Sequence, residues 1–347
     1  MKKLLSFLKY SLLLGVSAFL MWYALKELDF ARMWAELKNA NYGWVLLSVV
    51  MGAFAYVSRA IRWKMQIRPT GYNPSFANTY NAMMVGYLAN LVLPRMGEVA
   101  RCTILKRTDN LPVNTGFGTV IAERFIDMLM LLLVVALTFL IEFGRIREFF
   151  VELFTDKYSH LEQSINSFYW VIWALLALSI FILGIGLRYL SRLRQHAFFK
   201  KAVGFVRGML QGVFSITKVD NQLAFWGHTV FVWAMYYGMS VVVFFALPGT
   251  SSLGWGAGLS VLLVGSLGMA APVQGGVGVY HLLVQATLLL YGVNREAGMA
   301  YALLAHTSQT LLVVVMGVLS FIASMLKRRG SAVQPAETNI PLHELNR

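Results

Sequence analysis

One cysteine, Cys102, occurs in 347 residues. No intrachain disulfide can form, and zinc sites of the Cys-rich kind are excluded. Charge is scarce too: 13% of residues carry it, against about a quarter in an ordinary soluble domain. With 58% hydrophobic residues, such a chain cannot clothe an aqueous surface, which points to an integral membrane protein. Acidic residues are the rarer sign, 16 against 30 Lys and Arg, for a formal charge of +14. In a water-soluble chain that excess would suggest nucleic acid. Among long apolar runs it fits loops facing anionic lipid headgroups, and no nucleic-acid partner is expected. Enzyme signatures are missing as well: there is no paired-His zinc helix, no serine nucleophile elbow and no Asp-x-Asp pair for a metal-bound sugar nucleotide. His343-Glu344 stands in the tail and leads nowhere. The chain is therefore not expected to be an enzyme, to hold a metal or to need a cofactor.

What is present is apolar length. A membrane span takes about 20 apolar residues, and full spans are predicted at 10–25, 43–61, 117–141, 168–188, 222–247 and 298–326. Val16-Ser17-Ala18 loosely imitates a signal-peptidase site, but Lys9 interrupts the early apolar stretch and the run continues to Leu25, so a retained first span is expected. Two further stretches are broken: 75–105 at Pro94 and Gly97, and 256–291 at Pro272, Gly275, Gly276 and Gly278. Each gives two half-length helices around a breaker. Irregular backbone at membrane depth is tolerated only inside protein or beside a water-filled cavity, so both read as re-entrant helical hairpins. The expected fold is an all-α integral membrane protein with about six full transmembrane helices plus two re-entrant hairpins. The hairpins enter from opposite sides, a hint of inverted pseudo-symmetry. Residues 1–329 form the membrane domain, and 330–347 a polar tail expected to be disordered.

Charge orients this arrangement. With the N-terminus inside, 22 Lys and Arg fall on predicted cytoplasmic segments, including 59–74 and 95–110, and 7 on outer loops. The bias puts both termini in the cytoplasm of an inner-membrane, multi-pass protein. The basic segment 192–218 alternates cations and apolar residues and is expected along the inner membrane surface.

Three polar groups interrupt the apolar pattern. Glu98 and Arg101 lie three apart just beyond Pro94 and Gly97, near the start of a half-helix and on one face. They serve either as a salt bridge pinning the hairpin or as part of a site for an anionic headgroup, which a helix N-terminus favours. Glu123 and Asp127 share a face one turn apart, with Arg124 beside them; two like charges there need a cation or an interfacial position. In APVQGGVGVYHLLVQ, the glycines after Pro272 let the backbone approach something closely. His281 and Gln285 follow one turn apart, and His306 and Gln309 lie three apart in the last span. Membrane histidines act either as interhelical hydrogen-bonding groups or as proton carriers.

Together these groups resemble the transmembrane region of lysylphosphatidylglycerol synthases and the related stand-alone, flippase-like membrane proteins. The resemblance spans roughly 8–326. It rests on Pro94, Gly97, Glu98 and Arg101; on Glu123, Arg124 and Asp127; and on Pro272, Gly275, Gly276 and Gly278. The family often carries a Glu after the last motif, where this chain has His281, which puts in doubt any role needing a carboxylate there. The bifunctional synthases add a soluble aminoacyl-transferase domain, which the 347 residues do not include, so lysyl transfer is not expected. The resemblance implies translocation of an anionic or zwitterionic lipid, glycolipid or aminoacyl-phospholipid between leaflets. The first two motifs are expected to line a polar groove, and the two broken hairpins, the second from Pro272 to Gln285, to form its gates. Two alternatives stay open: a non-transporting membrane partner that presents lipid to a separately encoded transferase, and a small-solute or ion transporter.

Overall fold

The computed structural model describes residues 2–93, 95–144 and 214–326, with side chains from Leu14 onward. Pro94, the span expected at 168–188, most of the basic segment 192–218 and the tail 330–347 lie outside the described residues. The chain divides into two compact units, 1–134 with 209–347, and 135–208. Of the second unit only 135–144 are described, and the site belongs to the first.

All regular structure among the described residues is helical. In chain order the helices are α1 (Lys2–Leu25), α2 (Phe30–Lys38), α3 (Tyr42–Ile67), α4 (Phe76–Val92), α5 (Gly97–Asp109), α6 (Val113–Ile141), α7 (Gln222–Phe244), α8 (Trp255–Ala270), α9 (Val279–Leu289) and α10 (Arg295–Leu326). Short polar side chains start several of them by taking up free backbone N–H groups. Asp29 accepts from Ala31 and Arg32, Asn41 from Gly43, Ser75 from Asn78, Asn221 from Ala224 and Asn294 from Ala297. Among the described residues, four helices are long and apolar enough to cross a membrane: α3 with its following 3-10 turn, α6, α7 and α10. These meet the spans expected at 43–61, 117–141, 222–247 and 298–326. Their outward faces carry Leu311, Val315, Leu319 and Ile322 on α10 and Phe125, Leu132 and Leu133 on α6, all exposed. A continuous apolar exterior of this kind belongs against lipid.

Both broken stretches are broken in the structure. At the first, Leu93 is extended, Arg95 is left-handed (φ 64°), and α5 starts at Gly97. The Gly97 N–H donates to Asn90 Oδ1 at 2.7 Å. Gly97 faces Gly86 so closely that a Cβ on Gly86 would lie 2.8 Å from the Gly97 carbonyl oxygen. The second break runs from Ala271 to Gly278, with Gly275, Gly276 and Gly278 all at positive φ.

Hydrogen bonds set the direction of each helix pair. Arg295 pairs with Glu27 at 2.9 Å and the Asn41 N–H donates to the Ala246 carbonyl at 2.7 Å, which gathers the C-terminus of α1 and the N-termini of α3 and α10 at one end. Ser260 and Tyr291 bond at 2.8 Å and Gln285 donates to the Arg295 carbonyl at 3.0 Å, so the α8–α9 pair opens at that same end. At the opposite end Arg107 donates to the Met325 carbonyl at 3.1 Å and Asn78 to Asp109 at 2.9 Å, where the α4–α5 pair opens. The closed tips of the two pairs meet: Gln274 Nε2 donates to the Val92 carbonyl at 3.4 Å. Gly317 lets α10 lie against α4, where a Cβ would come 2.7 Å from Leu88 Cβ. Small residues at such crossings allow the van der Waals packing that holds membrane helices together.

Candidate functional site

The third turn from the end of α3 places Arg59 and Arg62 three residues apart, on one face, pointing into the bundle. By charge alone they belong with the cytoplasmic cations at 59–74, and Arg101 with those at 95–110. All three are instead buried: Arg62 is 0% and Arg101 2% exposed. Three of the 22 cations counted toward the expected cytoplasmic side are therefore inside the bundle, and a span predicted to stop at 61 continues to Ile67.

Their counter-charges come from α6. Glu123 is fully buried and takes Arg59 Nε at 2.7 Å on one oxygen and Arg101 Nη1 at 2.7 Å on the other. Asp127 takes Arg62 Nη2 at 2.8 Å and also pairs with Arg59. Arg59 Nη1 donates further to Tyr236 Oη on α7 at 3.0 Å, and Arg62 Nη1 to Thr229 at 3.4 Å. Arg101 lies over the Trp63 ring at 4.7 Å, and Trp63 Nε1 is itself held by Thr119 at 3.0 Å. Buried charge survives in a low-dielectric interior only when paired and hydrogen-bonded. Here three guanidiniums meet two carboxylates, so the buried cluster keeps one net positive charge.

Glu98 and Arg101 do not pair with each other. Glu98 reaches Arg124 at 3.6 Å, and Arg124 lies 3.8 Å from Asp127. The chain of charges thus runs from the buried Arg62 and Arg101, through Glu123 and Asp127, to Arg124, which is 44% exposed on its side chain. It surfaces in a cavity of about 660 Å³ lined by residues of helices α3 to α10 and of both breaks. Arg59, Arg95, Glu98, Arg124 and Asp127 form its charged wall. Three cations against two carboxylates make that wall electropositive. The remaining wall is uncharged and includes Trp233, Tyr280, Tyr301, His306 and Gln309.

The expected site residues sort into three places. Glu98, Arg124, Asp127, Gly275 and Gly276 face the cavity. Arg101 and Glu123 stand behind its wall and orient it, while Gly97 is a packing position between α4 and α5. In the second hairpin Gly278 packs on α1, where a Cβ would come 2.6 Å from Leu20 Cβ, and Pro272 stands outside the cavity lining. Gln285 ties α9 to the start of α10. His281 is buried behind His306, ring centroids 4.9 Å apart, and receives the Gly278 N–H at 3.4 Å. His306 itself lines the cavity and bonds the Gly275 carbonyl at 2.8 Å. A carbonyl only accepts, so the Nε2 carries the proton.

Sequence reasoning missed Arg59, Arg62, Tyr236 and Tyr87, which lines the cavity with its ring 5.9 Å from the Arg59 guanidinium. The available signal was the i, i+3 pair of arginines in SRAIRW, whose spacing puts both on one helix face. Tyr87 and Tyr236 carried none.

Comparison with known proteins assigns the family. Residues 10–317 match the model of the family described as lysylphosphatidylglycerol synthase TM region, and the chain belongs to that family. A UPF0104 membrane protein of Methanocaldococcus jannaschii is 31% identical over 94 residues, 26% of this chain and 28% of that protein. Glycosyltransferase AglD of Haloferax volcanii is 24% identical over 344 residues, 92% of this chain and 55% of that protein. A UPF0104 membrane protein of Pyrococcus horikoshii is 26% identical over 125 residues, 35% of this chain and 36% of that protein. The chain thus spans about half or less of the length of each of these relatives. No solved structure matches it.

Proposed function

We propose that this member of the lysylphosphatidylglycerol synthase transmembrane-region family binds the headgroup of an anionic or zwitterionic lipid in the cavity and carries it between leaflets. The observation that supports this most is the electropositive wall of Arg59, Arg95 and Arg124 where the two helix breaks meet. In transporters built from opposed broken helices, the substrate site lies at that meeting point. A headgroup there exchanges water for fixed protein dipoles and charges while its acyl chains stay in lipid, which offsets the cost of taking a charge through hydrocarbon. Arg95 holds a left-handed backbone. That conformation costs a non-glycine residue on the order of 1 kcal/mol, and such strain is retained where a side chain must point at a site.

In this reading α4–α5 and α8–α9 are re-entrant hairpins that enter the inner membrane from opposite sides. The end that carries Lys64, Arg68, Lys106, Arg107 and Lys218 against Asp109 and Asp220 faces the cytoplasm, and both termini lie there. Cysteines introduced one at a time at Lys106 and Glu27 test this, since only the second is then labelled from outside.

The test of transport is a headgroup-exposure assay in vesicles. Purified protein is reconstituted with tail-labelled lipids, and the fraction reached by a membrane-impermeant quencher is followed with time. Exchange well above that of protein-free vesicles, reduced at least tenfold by Arg124→Gln or Asp127→Asn in folded protein, supports translocation. No exchange of any lipid by the wild type would defeat it. The similarity to a glycosyltransferase that extends well beyond this chain's length favours a second reading, in which the region holds lipid for a separate transferase without moving it. That outcome would show as lipid binding without exchange. Solute uptake without lipid movement would favour a small-solute transporter instead.

A further inference from the structure

Two histidines have no part in the lipid-binding reading. His306 lines the cavity from α10, and His281 stands behind it on α9, ring centroids 4.9 Å apart. Their hydrogen bonds fix their tautomers. His306 Nε2 donates to the Gly275 carbonyl at 2.8 Å, so in the neutral ring Nδ1 keeps a bare lone pair. In His281 the roles are exchanged. Its Nδ1 accepts the Gly278 N–H at 3.4 Å, which leaves its proton on Nε2, a buried atom with no partner. A further proton on His281 would set an N–H against the Gly278 N–H and undo the start of α9. A further proton on His306 disturbs no bond. It turns the bond to Gly275 into a charge-assisted one, the stronger kind. The Tyr280 ring, 5.1 Å from the His306 ring and tilted by 36°, gives the resulting cation an aromatic neighbour. Two imidazoliums 4.9 Å apart would repel, so the pair holds one added proton, and His306 is its place.

No free carboxylate answers that proton. The second break and α8 have no titratable side chain, and α9 adds only Tyr280 and His281. On α1, which packs on Gly278, the one described titratable side chain is the exposed Tyr23. On α10 itself, Glu296 lies in the first turn and accepts the Asp29 N–H, and the Tyr301 hydroxyl donates to the Ser240 carbonyl at 2.6 Å. The other walls of the cavity bring Tyr56, Tyr87 and Tyr236, and the charges of Arg59, Arg95, Glu98, Arg124 and Asp127. Both carboxylates among them are taken, Glu98 by Arg124 and Asp127 by Arg62. The cavity is therefore electropositive before any proton arrives, and an imidazolium at His306 lacks a counter-charge until an anion enters. A headgroup phosphate held by the arginines supplies one. It favours the proton on His306, and by linkage the proton tightens the phosphate by the same factor.

Resting on the lipid-binding reading above, we infer that His306 is a proton-binding site and that the cavity takes up one proton together with the phosphate of a headgroup. The proton comes from water and binds the Nδ1 lone pair; no covalent bond of the lipid changes. When loaded, the second break is held at Gly275 by an imidazolium, and when empty by a neutral ring. A lipid carried between leaflets brings the proton with it, so a pH difference across the membrane drives the exchange.

The probe is a short-chain phosphatidylglycerol, whose phosphodiester stays ionised from about pH 5 to pH 8, the range in which histidine titrates. Binding to the full-length protein in mild detergent is measured by calorimetry in two buffers of different ionisation enthalpy, which counts the protons taken up. The wild type should bind about tenfold tighter at the acid end than at the alkaline end, a coupling of ordinary size, and take up as much as one proton per lipid. His306→Gln keeps a donor for the Gly275 carbonyl and cannot titrate. It should bind at the wild type's alkaline level at every pH and take up no proton, with an unchanged unfolding temperature. His281→Gln should keep the uptake. Wild-type binding that ignores pH overturns the inference, and so does proton uptake that survives in His306→Gln. If His306→Gln fails to fold, nitrogen NMR of the imidazoles decides. A ring that becomes imidazolium when the lipid is added, and still does so in His281→Gln, upholds the site; no such ring overturns it. Proton uptake without leaflet exchange upholds the inference and removes only translocation. No binding at any pH defeats the lipid-binding reading itself, and the inference falls with it.

Discussion

The two helix breaks meet at one cavity but are stabilised by different means. The first, around Arg95 and Gly97, is surrounded by charge: Glu98 leads to Arg124, and Arg101, one turn into α5, leads to Glu123 and so to Arg59. The second has three glycines at positive φ, no charged residue between Ala271 and Gly278, and a histidine from α10 on the Gly275 carbonyl. Interrupting a helix frees backbone groups that hydrocarbon cannot satisfy. The first break recovers them with Asn90 and is anchored by ion pairs to a neighbouring span. The second recovers them by turning tightly, which only glycine does without strain. The first break thus brings fixed charge to the cavity wall, and the second brings backbone without charge.

That division can be tested by damaging each side. The largest effect is expected from Glu123→Ala, which takes from Arg101 its carboxylate partner and leaves Arg59 and Arg62 with Asp127. Removing one member of a buried ion cluster costs about 3–5 kcal/mol, read as a fall in unfolding temperature or a failure to purify. Glu123→Gln keeps the shape and should fall between that variant and the wild type. A wild-type unfolding temperature for Glu123→Ala would mean that the cluster is wet rather than buried.

Next come the glycines. Gly278→Ala requires a left-handed backbone and meets Leu20 on α1, for an expected loss of about 1–3 kcal/mol. Gly86→Ala pushes α4 off α5 at the Gly97 carbonyl and should cost a similar ~1–3 kcal/mol through overpacking. Both are read as falls in unfolding temperature. If Gly86→Ala were tolerated while Gly278→Ala were not, the first break would be held by its charges alone.

His306→Ala removes the donor to the Gly275 carbonyl and is expected to destabilise by about 1 kcal/mol, with faster hydrogen exchange confined to 271–279. The smallest effect belongs to Glu27→Gln, whose pair with Arg295 is exposed. Such pairs contribute about 0–1 kcal/mol, and no shift beyond that is expected in thermal unfolding.

Much of the fold was legible in the chain because its causes are local. The breaks at Gly97 and Gly275–Gly278 follow from backbone sterics, and the spans of α3, α6, α7 and α10 from apolar length. The site was legible in part. The spacing of Glu98 to Arg101 and of Glu123 to Asp127 marks polar faces but not partners. Glu98 goes to Arg124 and Arg101 to Glu123, residues of the next helix. Arg59 and Arg62 look like cations at the end of a span because their spacing is the same whether they reach water or turn inward. Gln285, one turn from His281, reads as a neighbour in function yet fastens a helix end instead.

Composition and local backbone conformation were enough to assign this protein to apolar surroundings, to locate four of its long helices, and to rule out straight helices for two of its apolar stretches. Those outcomes depend on a few neighbouring residues at a time. Tertiary structure alone decided which arginine answers which carboxylate, which of them line the cavity, and that the two breaks touch. Ion pairing falls off with distance through space, and distance along a chain does not report it.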